Sequence, residues 1–442
     1  MSKHVLILGA GLVSQPIIDY LFTNTDHQLT VADMVLDNAR TAVGKNPRGR
    51  AAHLDVSDEP ALRELVCKAD LVVSLLPYAL HPLVARHCLD EGKSMVNASY
   101  VSDEIAAFDK EARDKNLLIL CETGLDPGID HMSAMKIIDK AKQRGGSVKE
   151  FVSVCGGLPA PDANDNPFGY KFSWSPKGVL LAGNNSARFV EAGEEKVIDA
   201  EELFHSTQPM LIGDQKFEAY PNRDSVPYEK IYGLEGIDLL MRGTLRYSGW
   251  HKLILAMKGL NLIKEYPIAA GDYSFAELLA NLNHLSVDDL KHDVSLRLGL
   301  KADSQEIEAL EWLGLFSDER HQVEDTTLLD MLAEVMNQKM AYREGERDMV
   351  VLQHQFIISY PDHDEQVLST LIDYGEPDGN SSMARTVSLP LAIAVRLILA
   401  GEIQLTGVQI PVLPEIYEPV LQELESLGIT FEETVIPMEN NH

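Results

Sequence analysis

The 442-residue sequence predicts an α/β protein, and three observations carry the prediction. Short, uniformly apolar runs alternate with helical patterns through the first 125 or so residues. A glycine-rich turn follows the first of these runs and opens a helix. Beyond about residue 147 the rhythm changes to strands set among polar, glycine-rich and proline-rich loops, followed by a helical stretch.

Val5 to Leu8 reads as a strand buried on both faces, and the helix after it buries Ile17, Ile18 and Leu21. Leu29 to Ala32, Ala51 to Leu54, Leu71 to Leu75, Ser94 to Val96 and Leu117 to Leu120 continue the strand series, with a helix expected to start near Ser57. Apolar strands separated by helices mean βαβ units and a parallel sheet covered on both faces. From about 264 to 342 the pattern is helical, with Leu328, Leu332, Val335 and Met336 forming a stripe that reads as a core face. Strand segments such as Phe356 to Ile358 follow, then a helix from about Ser382 to Ala400.

Composition narrows the functional classes. Hydrophobic residues make up 45% and charged residues 24%, an ordinary globular balance that excludes a disordered chain, a fibre or a coiled coil. With 38 basic and 68 acidic side chains the formal charge is −30, which repels phosphate backbones and argues against nucleic acid as a partner. Cys67, Cys88, Cys121 and Cys155 include no C-x-x-C pair, so neither a zinc site nor a disulfide scaffold is expected, and reduced thiols in the cytoplasm fit best. Glycines interrupt the apolar start of the chain, which argues against a signal peptide. The apolar stretch Leu389 to Ala400 contains Arg396 and is too short to span a bilayer, so no membrane role is expected.

The first strand runs into Gly9-Ala10-Gly11-Leu12-Val13-Ser14, close to the G-x-G-x-x-G dinucleotide fingerprint. Gly9 permits the tight turn, and Gly11 lets backbone approach a pyrophosphate held at the helix N-terminus, beside Leu12 and Val13. Ser14 stands where the third glycine packs helix against strand. Asp33, about 20 residues on, ends the second strand, where a carboxylate accepts hydrogen bonds from the adenosine ribose. A 2′-phosphate would meet its negative charge, and the next residue is Met34 rather than arginine, so NAD is favoured over NADP. Asp55 and Val56 after the third strand suit the adenine, and Leu75 and Leu76 after the fourth suit the nicotinamide side. The first domain is thus a Rossmann-type doubly wound sheet.

Several unusual strings make the chain resemble the saccharopine reductase, or L-glutamate-forming saccharopine dehydrogenase, family. They include Leu76-Pro77-Tyr78 with His81-Pro82, Ser99-Tyr100, Gly124 to His131 (GLDPGIDH), Cys155 to Pro161 (CGGLPAP) and Gly169 to Ser175 (GYKFSWS). Tyr220 to Ser225 (YPNRDS), Arg242 to Tyr247 (RGTLRY), Trp312 to Asp318 (WLGLFSD) and Glu346 to His354 (ERDMVVLQH) extend the likeness over nearly the whole chain. The resemblance implies that residues 384–442 return to join 1–130 in the dinucleotide-binding domain, that 131–263 with 343–383 form the mixed α/β substrate domain, and that 264–342 is a helical insertion. It also implies a homodimer. The implied reaction is reversible oxidation of the secondary amine of saccharopine, giving L-glutamate and 2-aminoadipate 6-semialdehyde, in lysine metabolism. Relatives that use NADP carry a small residue and an arginine where this chain has Asp33-Met34, so the resemblance leaves NADP possible while the residues favour NAD.

Saccharopine carries three carboxylates, which call for arginine. The resemblance places Arg223 and Arg246 at the substrate, with Thr244 and Leu245 beside the latter; without it, each arginine reads as a solvated charge. Asp126 precedes Pro127-Gly128, a turn at the ligand edge of the sheet, where its carboxylate is suited to the substrate ammonium group; a turn-stabilising side chain is the plain alternative. Asp130 is expected to cap a helix beginning near His131. Ser99 and Tyr100 follow the fifth strand at the same edge. Asp126 and Tyr100 are the foremost candidates for proton transfer, with Cys155, His81 and His131 behind them. No metal is expected. Two other functions remain open: a carboxyspermidine-type dehydrogenase of polyamine synthesis, and a non-catalytic dinucleotide sensor.

Overall fold

A computed structural model describes residues 2–438. They form two compact units, Met1–Val148 with Ile358–His442, and Lys149–Ile357.

The first unit is built on a seven-stranded parallel sheet. Its strands are β1 (His4–Leu8), β2 (Gln28–Asp33), β3 (Gly49–His53), β4 (Leu71–Ser74), β5 (Ser94–Asn97), β6 (Leu118–Leu120) and Gly407–Gln409. The spatial order is Gly407–Gln409, β6, β5, β4, β1, β2, β3, with every pair parallel. The connecting helices are α1 (Gln15–Asn24), α2 (Leu36–Val43), α3 (Glu59–Lys68), α4 (His81–Asp90), the short α5 (Asp103–Ala106) and α6 (Asp109–Asp114), and α7 (Ile129–Gln143). Val5 to Leu8 and Val72 to Val73 have no solvent exposure. Helices cover both faces of such a sheet, which is why these strands read as continuous apolar runs. The strand order reverses between β1 and β4, the position where doubly wound sheets open a crevice for ligands.

Two boundaries shift from expectation for local reasons. The helix expected near Ser57 begins at Glu59, because the Asp58 carboxylate accepts the Ala61 N–H (3.2 Å) and takes the cap. Ser57 instead donates its hydroxyl to Asp55 (2.7 Å). The third strand begins two residues and ends one residue earlier than expected, although the Leu54 N–H still donates to the Asp33 carbonyl (3.0 Å).

The helix Ser382–Ala400 contains the apolar stretch judged too short for a bilayer. At 19 residues and a mean hydropathy of 1.6 it is long and apolar enough to cross a membrane by length and composition. Its Leu391, Ala392, Ile393, Ala394 and Val395 are nonetheless fully buried, and it packs along α1 as a core helix.

The second unit has a mixed sheet in which Gln208–Ile212, Gln215–Pro221, Leu239–Tyr247, Ser147–Pro159 and Asp348–Ser359 lie side by side in that order. The hairpin Ala187–Glu191 with Glu194–Ile198 joins Leu239–Tyr247. Leu239–Tyr247 runs parallel to Ser147–Pro159 and antiparallel to Gln215–Pro221. Within residues 264–342 lie the helices Phe275–Asn283, Leu290–Leu298, Gln305–Leu313 and Leu328–Lys339. Leu328, Leu332 and Met336 are buried in one core and Val335 packs against it, as a core stripe requires. The stretch also holds two short antiparallel ladders absent from the expectation, Pro267–Ile268 with Thr326–Thr327 and Gly271–Ser274 with Arg320–Val323.

A buried ammonium ties two loops of this unit together. Lys171 is 1% exposed, and its Nζ lies 2.6 Å from Glu346 and 2.9 Å from Asp165. Replacing it with an apolar side chain leaves the two carboxylates with only the exposed Arg343 guanidinium, 2.9 Å from Asp165 and 3.8 Å from Glu346, as counter-charge. Lys171→Met is expected to lower unfolding stability by about 3 kcal/mol, and Asp165→Asn, at the better solvated partner, by about 1 kcal/mol or less. Denaturant unfolding of the two variants followed by tryptophan fluorescence checks the order and the gap.

Candidate functional site

At the first βα turn, Gly9 has φ +99°, and a Cβ there would stand 3.0 Å from the Leu75 carbonyl oxygen. Both conformation and space therefore demand glycine. A Cβ on Gly11 would meet nothing within 4 Å, so the loop is open on the side that a diphosphate approaches. Ser14 is buried, and its hydroxyl donates backward to the Gly11 carbonyl (2.8 Å) rather than to the N–H groups of α1. The first-turn donors of α1 are thus left for an anion. Ser388, on the helix packed along α1, donates to the Val13 carbonyl and props the loop from behind.

Asp33 closes this region. One carboxylate oxygen accepts the Ala10 N–H (2.7 Å) and the other accepts the Val35 N–H (2.8 Å). Each oxygen keeps a lone pair, which suits a ribose diol. Met34 is 61% exposed and Leu12 is also exposed, so neither blocks the crevice. The Asp55 carboxyl is held below the usual range by hydrogen bonds from the Ser57 hydroxyl and N–H. Val56 beside it is buried, and Leu75 and Leu76 follow β4 at the same edge. These residues fit an adenine dinucleotide.

The ends of β5 and β6 carry the second cluster. The Tyr100 hydroxyl lies 3.4 Å from Asp126 Oδ1. The turn holding Asp126 closes on itself: the Gly124 N–H donates to the Pro127 carbonyl (3.0 Å) and the Ile129 N–H to the Gly124 carbonyl (2.8 Å). A Cβ on Gly128 would fall 2.0 Å from Gly124 O, so only glycine fits there. The Asp126–Pro127 peptide bond is cis. Asp130 is not the helix cap that was expected. The helix begins at Ile129 after Gly128, and Asp130 lies in its first turn, accepting the Gly128 N–H (2.6 Å). The tight turn leaves no residue between glycine and helix for a side-chain cap.

Two hydrogen-bonded groups behind this cluster were not anticipated. Glu122, buried at φ +56°, accepts the Val101 N–H (3.1 Å), and its other oxygen lies 2.7 Å from His131 Nε2. His131 is fully buried and committed to Glu122, so it is not open to a substrate as a base. His81, also buried, has Ser74 Oγ at 2.9 Å from Nδ1 and Ser99 Oγ at 2.8 Å from Nε2. The prior signals for the first pair were an acidic residue two positions after a buried strand and His131 among the secondary proton-transfer candidates.

In the second unit, Leu239–Tyr247 presents Thr244 and Arg246 on one face and Leu245 on the other. The Leu245 side chain is fully buried in the core, so what it offers near Arg246 is backbone: its carbonyl accepts from Arg246 Nη1 (2.8 Å). The Arg246 guanidinium lies 5.0 Å over the Tyr170 ring and 5.6 Å over that of Trp250. It is held in place by π faces rather than by a carboxylate, and its Nε is buried with no hydrogen-bond partner. Glu218 starts the helix that carries Trp250 by accepting from Gly249 N (2.8 Å) and His251 N (2.7 Å). Arg223 is exposed with φ +53° in the loop after Gln215–Pro221, and its carbonyl accepts the Arg188 N–H (2.8 Å). Cys155 is buried in the neighbouring strand, and all four cysteines are free thiols. Among the described residues no group of three or more His, Cys, Asp or Glu is placed to hold a metal ion.

Comparison with known proteins covers both units. Residues 5–120 match the family described as the saccharopine dehydrogenase NADP binding domain, and residues 124–429 match the saccharopine dehydrogenase C-terminal domain. The saccharopine dehydrogenase [NADP(+), L-glutamate-forming] of Saccharomyces cerevisiae is 39% identical over 449 residues, with 99% of this chain and 100% of that one aligned. The mitochondrial alpha-aminoadipic semialdehyde synthase of Bos taurus is 41% identical over 446 residues, and the chain spans 47% of its length. The apo saccharopine dehydrogenase (L-Glu forming) structure from Saccharomyces cerevisiae superposes with a TM-score of 0.90 at 38% identity, covering 98% of this chain and 100% of that one. With its glycine loop and Asp33 in one unit, its π-held arginine in the other, and matches that run through both, the chain belongs to the saccharopine dehydrogenase (L-glutamate-forming) family.

Proposed function

We propose that this protein is a nicotinamide-dependent saccharopine dehydrogenase that forms L-glutamate and 2-aminoadipate 6-semialdehyde from saccharopine, reversibly, in lysine metabolism. The observation that carries the reading is Arg246, a buried guanidinium whose Nε lacks a partner and whose face is held by Tyr170 and Trp250. A buried cation with no carboxylate of its own is suited to receive one from a ligand. Arg223 and Thr244 add further contacts to the three carboxylates of saccharopine.

Gly9, Gly11, Leu12, Val13, Asp33, Met34, Asp55, Val56, Leu75 and Leu76 hold the dinucleotide, which supplies the hydride acceptor for the carbon beside the secondary amine. Oxidation of that carbon makes it open to water, and collapse of the hydrated adduct separates glutamate from the aldehyde. The chain contributes position and proton handling to these steps. Asp126 draws the substrate ammonium to the turn, and Tyr100, 3.4 Å from its carboxylate, relays a proton between substrate and solvent. Ser99 binds substrate beside them.

We infer a preference for NAD. The fungal relatives are named for NADP(+), but Asp33 sets both carboxylate oxygens against the loop where a 2′-phosphate would stand, and Met34 offers no positive charge. A homodimer remains part of the proposal.

Absorbance at 340 nm with saccharopine and either NAD or NADP tests the function. Turnover with NAD at a kcat/KM well above that with NADP is expected. NADP preference would keep the reaction and overturn the Asp33 reading, and binding of the dinucleotide without turnover of saccharopine would bring the carboxyspermidine-type enzyme and the sensor forward.

Two substitutions test the roles. Arg246→Met is expected to raise the saccharopine KM about 10- to 100-fold, the loss of a charge-assisted hydrogen bond, with kcat less affected. Asp126→Asn is expected to lower kcat/KM about 100-fold or more, in line with removal of a group that handles protons or binds a charge. Steady-state kinetics in saccharopine at saturating dinucleotide reads both.

A further inference from the structure

His81 opens α4, directly after the turn that follows β4, and its ring lies between the ends of β4 and β5. Each ring nitrogen meets one serine: Nδ1 is 2.9 Å from Ser74 Oγ and Nε2 is 2.8 Å from Ser99 Oγ. Burial, with no charged group contributing, pushes the imidazole down to about 4, so the ring is neutral near pH 7. A neutral imidazole has one donor and one acceptor, and the chain Ser74–His81–Ser99 can therefore run in two directions.

Burial chooses between them. Ser74 is 1% exposed, and His81 is the partner its hydroxyl meets. If His81 Nδ1 donated to Ser74, the Ser74 hydroxyl hydrogen would be buried without an acceptor, which folding disfavours. If Ser74 donates to Nδ1, every buried hydrogen is placed, and Nε2–H donates to Ser99 Oγ. Ser99 is only partly buried, and its backbone is pinned, with its N–H donating to Asn97 Oδ1 (2.8 Å) and its carbonyl accepting the Glu122 N–H (3.0 Å). Its hydroxyl rotation is the one freedom left. A lone pair occupied by His81 turns the Ser99 hydrogen outward.

We propose that Ser74, His81 and Ser99 form a one-way hydrogen-bond relay that presents the Ser99 hydroxyl as a donor to a carboxylate of the substrate. The proposal rests on the placement of Ser99 at the substrate under the function proposed above. The relay leaves the Ser99 hydrogen free for an acceptor, because His81 takes a lone pair of Oγ and not its hydrogen. A substrate anion meets a free hydroxyl hydrogen there, which the opposite direction of the relay would have turned back to His81. Ser74 and His81 are positioning residues that act only through Ser99.

The full-length enzyme with Ser74→Ala, Ser99→Ala and both changes together tests the relay. Ser99→Ala and Ser74→Ala are each expected to lower kcat/KM for saccharopine about 10-fold or more, the scale of a hydrogen bond to a charged group, through KM and with dinucleotide Kd unchanged. The double variant is expected to be no worse than Ser99→Ala alone, because Ser74 has no other route to the substrate. A merely structural Ser74 would give additive losses. Additive losses, or a Ser74→Ala effect confined to dinucleotide Kd or to kcat, would overturn the relay and leave Ser99 as a substrate contact. A Ser99→Ala enzyme with unchanged kcat/KM would overturn the placement of Ser99 and the relay with it. Absence of saccharopine turnover by the unmodified enzyme would overturn the proposed function itself.

Discussion

The parallel ladder of the first unit is the constraint on which the site depends. Because all seven strands run the same way, every strand ends at one edge, and the residue after each strand is delivered to that edge. Gly9 follows β1, Asp33 ends β2, Asp55 follows β3, Leu75 follows β4, Ser99 and Tyr100 follow β5, and Asp126 lies in the turn after β6. No antiparallel arrangement would gather six consecutive loops in this way. The cross-strand pairing of Leu8 with both Ala32 and Ser74 sets the depth at which three of those loops emerge.

That edge is also where the sheet's hydrogen bonding runs out, and polar side chains take over. Asn97 accepts from Ser99 N, Glu122 from Val101 N, Asp33 from Ala10 N and Val35 N, and Asp130 from Gly128 N. Each is a carboxylate or amide that satisfies backbone donors beyond the last strand residue. Buried polar groups are costly unless bonded, so once these bonds form the loops have few alternative conformations. The same bonds explain why a rigid crevice can be made from segments without regular structure.

The legible parts of the sequence share a physical cause. Strands buried on both faces leave unbroken apolar runs, so β1, β2, β4, β5 and β6 could be read directly, while β3, at the sheet edge with no buried residue, was read with shifted bounds; the glycine turn could be read because its function is steric. The stripe at Leu328, Leu332 and Met336 was readable because helix periodicity survives in any core. What escaped involves contacts between positions that follow no period. The ladder of Gly271–Ser274 with Arg320–Val323 joins short, half-exposed segments lacking the strand alternation. The pair Glu122–His131 forms across a closed turn, and the contact between Arg246 and the two rings depends on where a strand, a loop and the start of a helix meet. Composition said nothing of these. The family strings marked the segments as special without saying what each side chain does, which is how Leu245 came to stand beside Arg246 as a substrate residue although its side chain faces the core.

Asp33 carries a tension that bears on cofactor choice. Its carboxylate is at once the group that would meet the ribose and the acceptor that holds Ala10 in the glycine loop. A change to a small residue followed by arginine would remove the charge that opposes a 2′-phosphate. It would also leave the Ala10 N–H without its acceptor at the point where the loop must be most exact. Water can replace the acceptor, since Ala10 is only partly buried, but it cannot fix the loop as a carboxylate bonded on both oxygens does. An NADP-binding form of this turn therefore needs the phosphate, or a new side chain, to restore the lost anchor. Under the proposed function, selectivity at this position is thus tied to the loop that would hold the pyrophosphate: removing Asp33 is expected to weaken both cofactors before it favours either.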